Sequence, residues 1–239
     1  MNCLITGASL GMGRCLALKF ASLNYNLYLT YLTNEKKAFD LKIEIENKYQ
    51  VKCFIEKCDL RKEEDIKRVI NNVKNNLGNL DILVNNASYS CDNLIEDKTK
   101  KEFMSVLEVN LVGTFLMSKY ASFIMNPNGL IINMSSTDGI DSQSIYNIDY
   151  SASKAGIISL TKTFSLSFNN FRTIAIAPNW VDTESTKEMN QEYLESELKR
   201  IGQKKLISKE KVVNKIIHIV VDKNVKSGSI IRIDGDEDE

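Results

Sequence analysis

Short apolar runs alternate with longer amphipathic stretches along the whole chain, and this alternation restricts the possible folds sharply. The runs NCLIT, NLYLTY, VKCFIEK, DILVN, GLIINMS, FRTIAIAP and GSIIRID read as strands. Between them, GMGRCLALKFASL, EKKAFDLKIEIENKY, KEEDIKRVINNVKNNL, KKEFMSVLEVNLVGTFLMSKYASFIM, YSASKAGIISLTKTFSLSF and KEKVVNKIIHIVVD carry apolar residues at helical spacing. Strands that alternate with helices predict a mostly parallel sheet covered on both faces. DILVN and GLIIN are apolar almost throughout, as burial on both faces requires. No linker, repeat or low-complexity segment divides the units, so residues 1–239 read as one α/β domain with a doubly wound, seven-stranded sheet. The polar region 182–209 gives no strand signal and follows the end of a strand, where open α/β sheets bind ligands; it reads as a substrate lid. The ending DGDEDE reads as a solvated tail.

Composition removes several classes of function. Lys plus Arg and Asp plus Glu both number 31, so no basic excess suggests nucleic acid. No apolar run reaches membrane-spanning length, and MNCLITG runs directly into a strand, which predicts no leader peptide. The five cysteines are scattered without a CxxC pair and read as reduced thiols of a cytoplasmic protein. The single histidine, His218, reads as a helix-packed imidazole. Without a second histidine, neither a His-rich metal site nor a Ser-His-Asp triad is expected.

The segment TGASLGMG joins the first strand to the first helix. Gly7, Gly11 and Gly13 let the backbone turn tightly and approach a ligand, and the helix N-terminus offers N–H groups to a pyrophosphate. No Gly-Lys-Ser/Thr follows, so it is not a P-loop. A methyltransferase loop would place an acid at the end of strand two, and LYLTYLTN has none there.

A second feature is YSASK. Tyr150 and Lys154 lie four residues apart, on one helix face, with small residues between. In isolation such a pair reads more readily as a solvated surface pair. Asn110 in a helix, Ser135 and Ser136 at a strand end, and Asp59 before KEED likewise have plain readings as polar glue, strand-end cap and turn residue.

Together, in order and spacing, these segments resemble the short-chain dehydrogenase/reductase family over nearly the whole chain. The Gly-x-x-x-Gly-x-Gly spacing, CDL with Asp59, NNAS, VNLVG with Asn110, INMSSTDG, YSASK, APNWVDT and SGSIIRIDG each match a segment of the family pattern. The resemblance implies a Rossmann-like fold and a catalytic set of Asn110, Ser136, Tyr150 and Lys154. It implies a nicotinamide cofactor held by Gly7, Ser9, Gly11, Met12, Gly13, Tyr31, Asp59, Leu60, Asn86, Ala87, Tyr150, Lys154, Pro178, Val181 and Thr183, and no metal. It further implies that Asp59 contacts the adenine, that Ser136 orients the substrate carbonyl and that Asn110 holds a water linked to Lys154. A free tyrosine ionises near ~10, so using it as a base near neutrality takes about 3–4 kcal/mol of differential stabilisation, expected from the Lys154 ammonium and the cofactor.

Four departures from the family pattern stand out. Asn179 replaces the glycine after Pro178, and Ser88 replaces the last glycine of Asn-Asn-Ala-Gly. Asp236 follows Asp234-Gly235 where glycine is usual, and the loop from Ser136 to Tyr150 is one residue longer.

The sequence thus reads as a cytoplasmic NAD(P)-dependent oxidoreductase that interconverts a small-molecule carbonyl and its alcohol. A 3-oxoacyl-[acyl-carrier-protein] reductase and a non-catalytic dinucleotide-binding regulator are the alternatives. NADP(H) is favoured over NAD(H), because Thr30 and Tyr31 at the end of strand two carry no acid and Thr33, Asn34, Lys36 and Lys37 follow. Apolar surface on the helix from 100 to 125 and on the one after Tyr150 predicts a homodimer or homotetramer. The stretches MNPNG and FNNF lack Lys and Arg where carrier-dependent relatives place basic residues, so free or coenzyme-linked substrates are expected.

Overall fold

The computed structural model describes residues 1–235. Seven parallel strands form one sheet in the order β3-β2-β1-β4-β5-β6-β7. They are β1 (Asn2–Ile5), β2 (Asn26–Tyr31), β3 (Cys53–Lys57), β4 (Leu80–Asn85), β5 (Met125–Met134), β6 (Arg172–Pro178) and β7 (Ile230–Ile233). The order reverses between β1 and β4, where Leu4 pairs with Leu83, and the crevice above that point is where such sheets bind ligands.

The sheet is buried on both faces because successive side chains alternate. Cys3 and Ile5 pack with α1 (Gly11–Ser22), α2 (Glu35–Lys48) and α9 (Lys209–Val221), while Leu4 packs with α3 (Glu63–Leu77) and α5 (Gly113–Ser122) on the other side. α3 shows why these stretches are helical. Ile66, Val69, Ile70 and Val73 form one buried stripe, and Glu63, Glu64 and Asp65 occupy the first turn, where the helix dipole favours acids. Each such aliphatic side chain contributes about 1.5–3 kcal/mol by leaving water.

The segment expected as one helix over 100–125 is three pieces: α4 (Lys100–Leu107), a π-helical turn (Glu108–Val112) and α5. A Thr99–Glu102 capping box starts α4. The π turn rotates the helix locally and carries Asn110, a placement common at functional sites. β5 starts at Met125, earlier than the apolar run suggests, because its Met125–Gly129 portion pairs irregularly with β4.

α6 (Ile148–Ser167) begins just ahead of Tyr150. The region 182–209, expected to lack a strand, contains α7 (Glu184–Glu188) and α8 (Gln191–Arg200). An isolated bridge between Val181 and Ile207 closes its neck. Trp180 serves that neck, its carbonyl accepting from Ile207 N and from Gln203 Nε2. His218 faces solvent on α9 rather than packing inside. At the start of the acidic ending Asp234 pairs with Arg232 at 2.8 Å, and residues 236–239, with Asp236, lie outside the described residues.

Candidate active site

The glycine loop is tightly built. Gly7 and Gly11 have φ of +63° and +53°. A Cβ on Gly7 would stand 2.8 Å from Ala87 Cα, and one on Gly13 would stand 2.4 Å from Gly7 O. Asn86 locks the loop rather than reaching away from it: its Nδ2 donates to Thr6 O and Gly7 O, both at 3.0 Å. Thr6 Oγ1 accepts from the N–H groups of Asn86 and Ala87, both at 3.0 Å. Leu10, the N-cap of α1, makes no side-chain cap bond, so the first N–H groups of α1 face the crevice without a side-chain acceptor there. A backbone cradle that any Cβ would fill, with an uncapped helix start, fits the pyrophosphate of a dinucleotide.

Other expected cofactor residues are placed unevenly around this cradle. Ser9 and Met12 lie in the loop and the first turn of α1, and Met12 also packs on the core. Leu60 is buried against α5, where Gly113 lets it approach. Asp59 is held by Arg61, whose Nε and Nη2 reach its two oxygens at 2.8 and 2.7 Å. This bidentate contact keeps the Asp59 carboxyl below its usual range. Tyr31 is buried at the end of β2, where burial and the nearby Glu35 carboxylate push its phenol up. Pro178 ends β6, Val181 pairs at the neck, and Thr183 caps α7 by exchanging bonds with Thr186. α7 brings Glu184 Oε2 to 3.5 Å from where a Cβ on Gly11 would stand, while Lys209 holds its Oε1 at 3.1 Å.

At the end of β5 the two serines separate in role. Ser135 Oγ donates to Lys154 O at 2.8 Å and is buried, whereas the half-buried Ser136 lies close to the half-buried Tyr150 phenol. Lys154 Nζ lies 5.1 Å from the Tyr150 ring centre and donates to Met134 O at 2.8 Å. Burial pushes the Lys154 ammonium down to about 8. The expected acidified tyrosine is not found in the protein alone. Burial and then the nearby Asp138 charge push the Tyr150 phenol above its ordinary value, and the nearby Ser88 and Ser136 hydroxyls pull only partly the other way. The chain by itself therefore holds a protonated phenol, the form that gives a proton.

Asn110 is fully buried, and its side chain is already engaged. Its Nδ2 donates to Tyr89 O and Ser153 Oγ at 2.9 and 3.0 Å, and its Oδ1 accepts from Tyr89 N at 2.8 Å. Its visible work is to tie the loop after β4 to α6. Ser88, one of the departures, joins the site through Tyr150 and also donates to Asn110 Oδ1 at 3.4 Å. Asn179 does not need the backbone freedom of the glycine it replaces, since its φ is not positive. Its Oδ1 accepts from Thr137 Oγ1 at 3.1 Å, a contact glycine lacks, and this joins the turn after β5 to the neck of the lid. The longer loop after Ser136 is absorbed by a 3₁₀ turn (Thr137–Gly139) whose Thr137 O accepts three following N–H groups.

Sequence reasoning missed Asp138, Asn147, the Lys98–Asp149 pair and Glu184. The pair is buried at 3.0 Å, and Asp149 Oδ1 accepts the Tyr150 N–H at 2.8 Å. An acid directly before Tyr150 was the available signal.

The model for "short chain dehydrogenase" matches residues 1–194. A 3-oxoacyl-[acyl-carrier-protein] reductase of Aquifex aeolicus is 31% identical over 237 residues, covering 97% of this chain and 95% of that protein. The same-named protein of Thermotoga maritima is 31% identical over 238 residues, covering 98% and 96%. A solved dehydrogenase/reductase from Sinorhizobium meliloti superposes with TM-score 0.92 at 25% identity, covering 98% and 93%. A short chain dehydrogenase from Burkholderia cenocepacia, solved in complex with NADP, has TM-score 0.90 at 21% identity, covering 98% and 96%.

Proposed function

The chain belongs to the short-chain dehydrogenase/reductase family of oxidoreductases, and we propose that it reduces the ketone of a 3-oxoacyl thioester to a secondary alcohol with NADPH. The observation that carries this reading is the placement of Tyr150 close to Ser136, with Lys154 Nζ 5.1 Å from its ring on the same helix face. When bound, the nicotinamide cofactor supplies the hydride. Gly7, Gly11, Gly13 and the start of α1 would hold its phosphates. Ser136 would orient the carbonyl oxygen, and Tyr150 would give that oxygen a proton. The charged Lys154 would favour the phenolate left behind.

Three features support NADP over NAD. No acid stands at the end of β2, α2 lacks a side-chain cap, and Lys36 and Lys37 lie exposed in its first turn. Glu35 opposes them from the same turn.

The curated relatives, by name, support a 3-oxoacyl thioester. Coenzyme-linked substrates fit better than carrier-bound ones. The stretches Asn126–Gly129 and Phe168–Phe171 lie side by side, with Asn128 N donating to Asn170 O at 2.7 Å, and neither offers a cation to an acidic carrier. The neighbouring Arg172 turns inward, donating to the carbonyls of Ile219, Asp222 and Val225 at the end of α9.

The same reading has the protein working in the cytoplasm as a homodimer or homotetramer. Among the described residues no helix is long and apolar enough to cross a membrane.

The test is to follow NADPH consumption by the purified protein with acetoacetyl-coenzyme A, simple ketones and acetoacetyl carrier protein. Turnover of the coenzyme thioester at least tenfold above the ketones supports the reading. No turnover of any of them refutes it, and tight, salt-sensitive carrier binding refutes the carrier part.

A further inference from the structure

Asp138 lies two residues after Ser136, and the chemistry above gives it no role. It is buried on the 3₁₀ turn. Its N–H donates to Ser136 Oγ at 3.2 Å, and its Oδ2 accepts from Asn147 Nδ2 at 2.8 Å. Asn147 Oδ1 accepts in turn from Ser151 Oγ at 2.9 Å. These contacts form a strap from the turn that carries Ser136 to the first turn of α6, which carries Tyr150. Gly139 keeps the two elements close, since a Cβ there would stand 2.5 Å from the Lys154 carbonyl carbon.

The titratable and charged groups that face Asp138 are Tyr150 and Lys154 from α6, and Tyr193, Glu197 and Arg200 from α8. Arg200 does not pair with it. That guanidinium forks onto Glu197 at 2.8 and 3.1 Å and reaches Ser142 O. Among the described residues Asp138 therefore has a hydrogen-bonded carboxylate without an ion pair, so its charge acts on the phenol and the ammonium of α6.

We propose that Asp138 is a positioning residue for the proton donor: through Asn147 it fixes the Ser136 turn against the head of α6, and it sets there a carboxylate that has no ion pair among the described residues. Burial, opposed by the Asn147 bond, pushes the Asp138 carboxyl up to about 6. The charge is thus present at neutral pH and lost in mild acid. This role rests on the reading of Tyr150 as proton donor given above.

The test compares Asp138→Asn, which keeps the size and an acceptor for Asn147 but removes the charge, with Asp138→Ala, which removes both. The first readout is kcat/KM against pH for oxidation of 3-hydroxybutyryl-coenzyme A by NADP⁺, a direction in which Tyr150 must lose its proton. Asp138→Asn moves the alkaline rise down by about one pH unit, as removal of one charge from a partly buried site at an effective dielectric of ~20 would. Asp138→Ala makes the same move and also lowers kcat at least tenfold. A rise that stays in place in Asp138→Asn overturns the proposal.

The second readout needs no turnover. A carboxyl raised in the folded state binds more protons folded than unfolded between about 4 and 6, so its ionisation lowers stability as pH rises through that window. The urea midpoint of Asp138→Asn minus that of the unmodified protein should therefore increase from pH 4 to pH 6.5. If the unmodified protein turns over no probe, the substrate reading fails and this second readout decides the inference. A flat difference overturns it.

Discussion

Lys98→Met removes the cation of a pair that is almost wholly out of water. Lys98 and Asp149 are 4% and 0% exposed, and their contact is 3.0 Å. Lys98 also donates to Cys91 O, so the pair fastens the loop after β4 to the first turn of α6. Among the described residues the substitution leaves the buried Asp149 carboxylate with the Tyr150 N–H as its one hydrogen-bond donor. Breaking a buried pair from one side costs about 3–5 kcal/mol. A chain of 239 residues gains roughly 0.5 kcal/mol per kelvin of unfolding entropy, so the melting temperature should fall by roughly 6–10 °C. Lys98→Met with Asp149→Asn removes both charges and should recover most of the loss, to within about 1–2 kcal/mol of the unmodified protein. Differential scanning calorimetry and urea unfolding give these values, and a double-mutant cycle gives the coupling. The reasoning fails if Lys98→Met costs less than about 1 kcal/mol, or if the double substitution is no more stable than the single one.

Three further outcomes follow from the site. Glu184→Gln removes a carboxylate beside Gly11 and should tighten NADPH binding roughly threefold to tenfold, measured by calorimetric titration; unchanged or weaker binding would contradict the placement of α7 over the phosphate cradle. Tyr31→Asp puts an acid at the end of β2 and should shift the kcat/KM ratio toward NADH by at least about tenfold; an unmoved ratio means that the ribose lies elsewhere. Light scattering should give two or four times 27.1 kDa, because Met104, Val112, Phe115, Phe123 and Leu166 on or beside α4–α6 are exposed; a monomer mass at micromolar concentration would refute an isologous contact there.

The fold was legible because burial on both faces of a parallel sheet writes itself as apolar runs such as DILVN and GLIIN, and because the helices are amphipathic at regular spacing. The glycine loop was legible for a steric reason: Gly7 and Gly13 stand where no Cβ fits. Ser136 rather than Ser135 is proposed to orient the carbonyl, and Ser135 Oγ donates to the Lys154 carbonyl. Other features depend on distant partners that no local pattern encodes. The π turn at Asn110 breaks a stretch whose periodicity reads as unbroken helix. Asp59 in CDL is expected to contact the adenine, yet its carboxylate is held by Arg61. The acidified Tyr150 is expected from the Lys154 ammonium together with the cofactor. In the protein by itself burial and Asp138 push the phenol up, and Asp138 reaches it only because the turn after β5 folds against α6.

The account stands most directly on Tyr150. Tyr150→Phe deletes one hydroxyl from a half-buried ring and leaves the glycine loop, Asn86 and the Lys154–Met134 bond in place. Single-turnover reduction of acetoacetyl-coenzyme A should slow by at least a hundredfold, the size of contribution a positioned proton donor makes. The NADPH dissociation constant should change by less than about twofold, since no phosphate contact is lost. A Tyr150→Phe protein that turns over at near-normal rate would contradict the claim that this phenol supplies the proton.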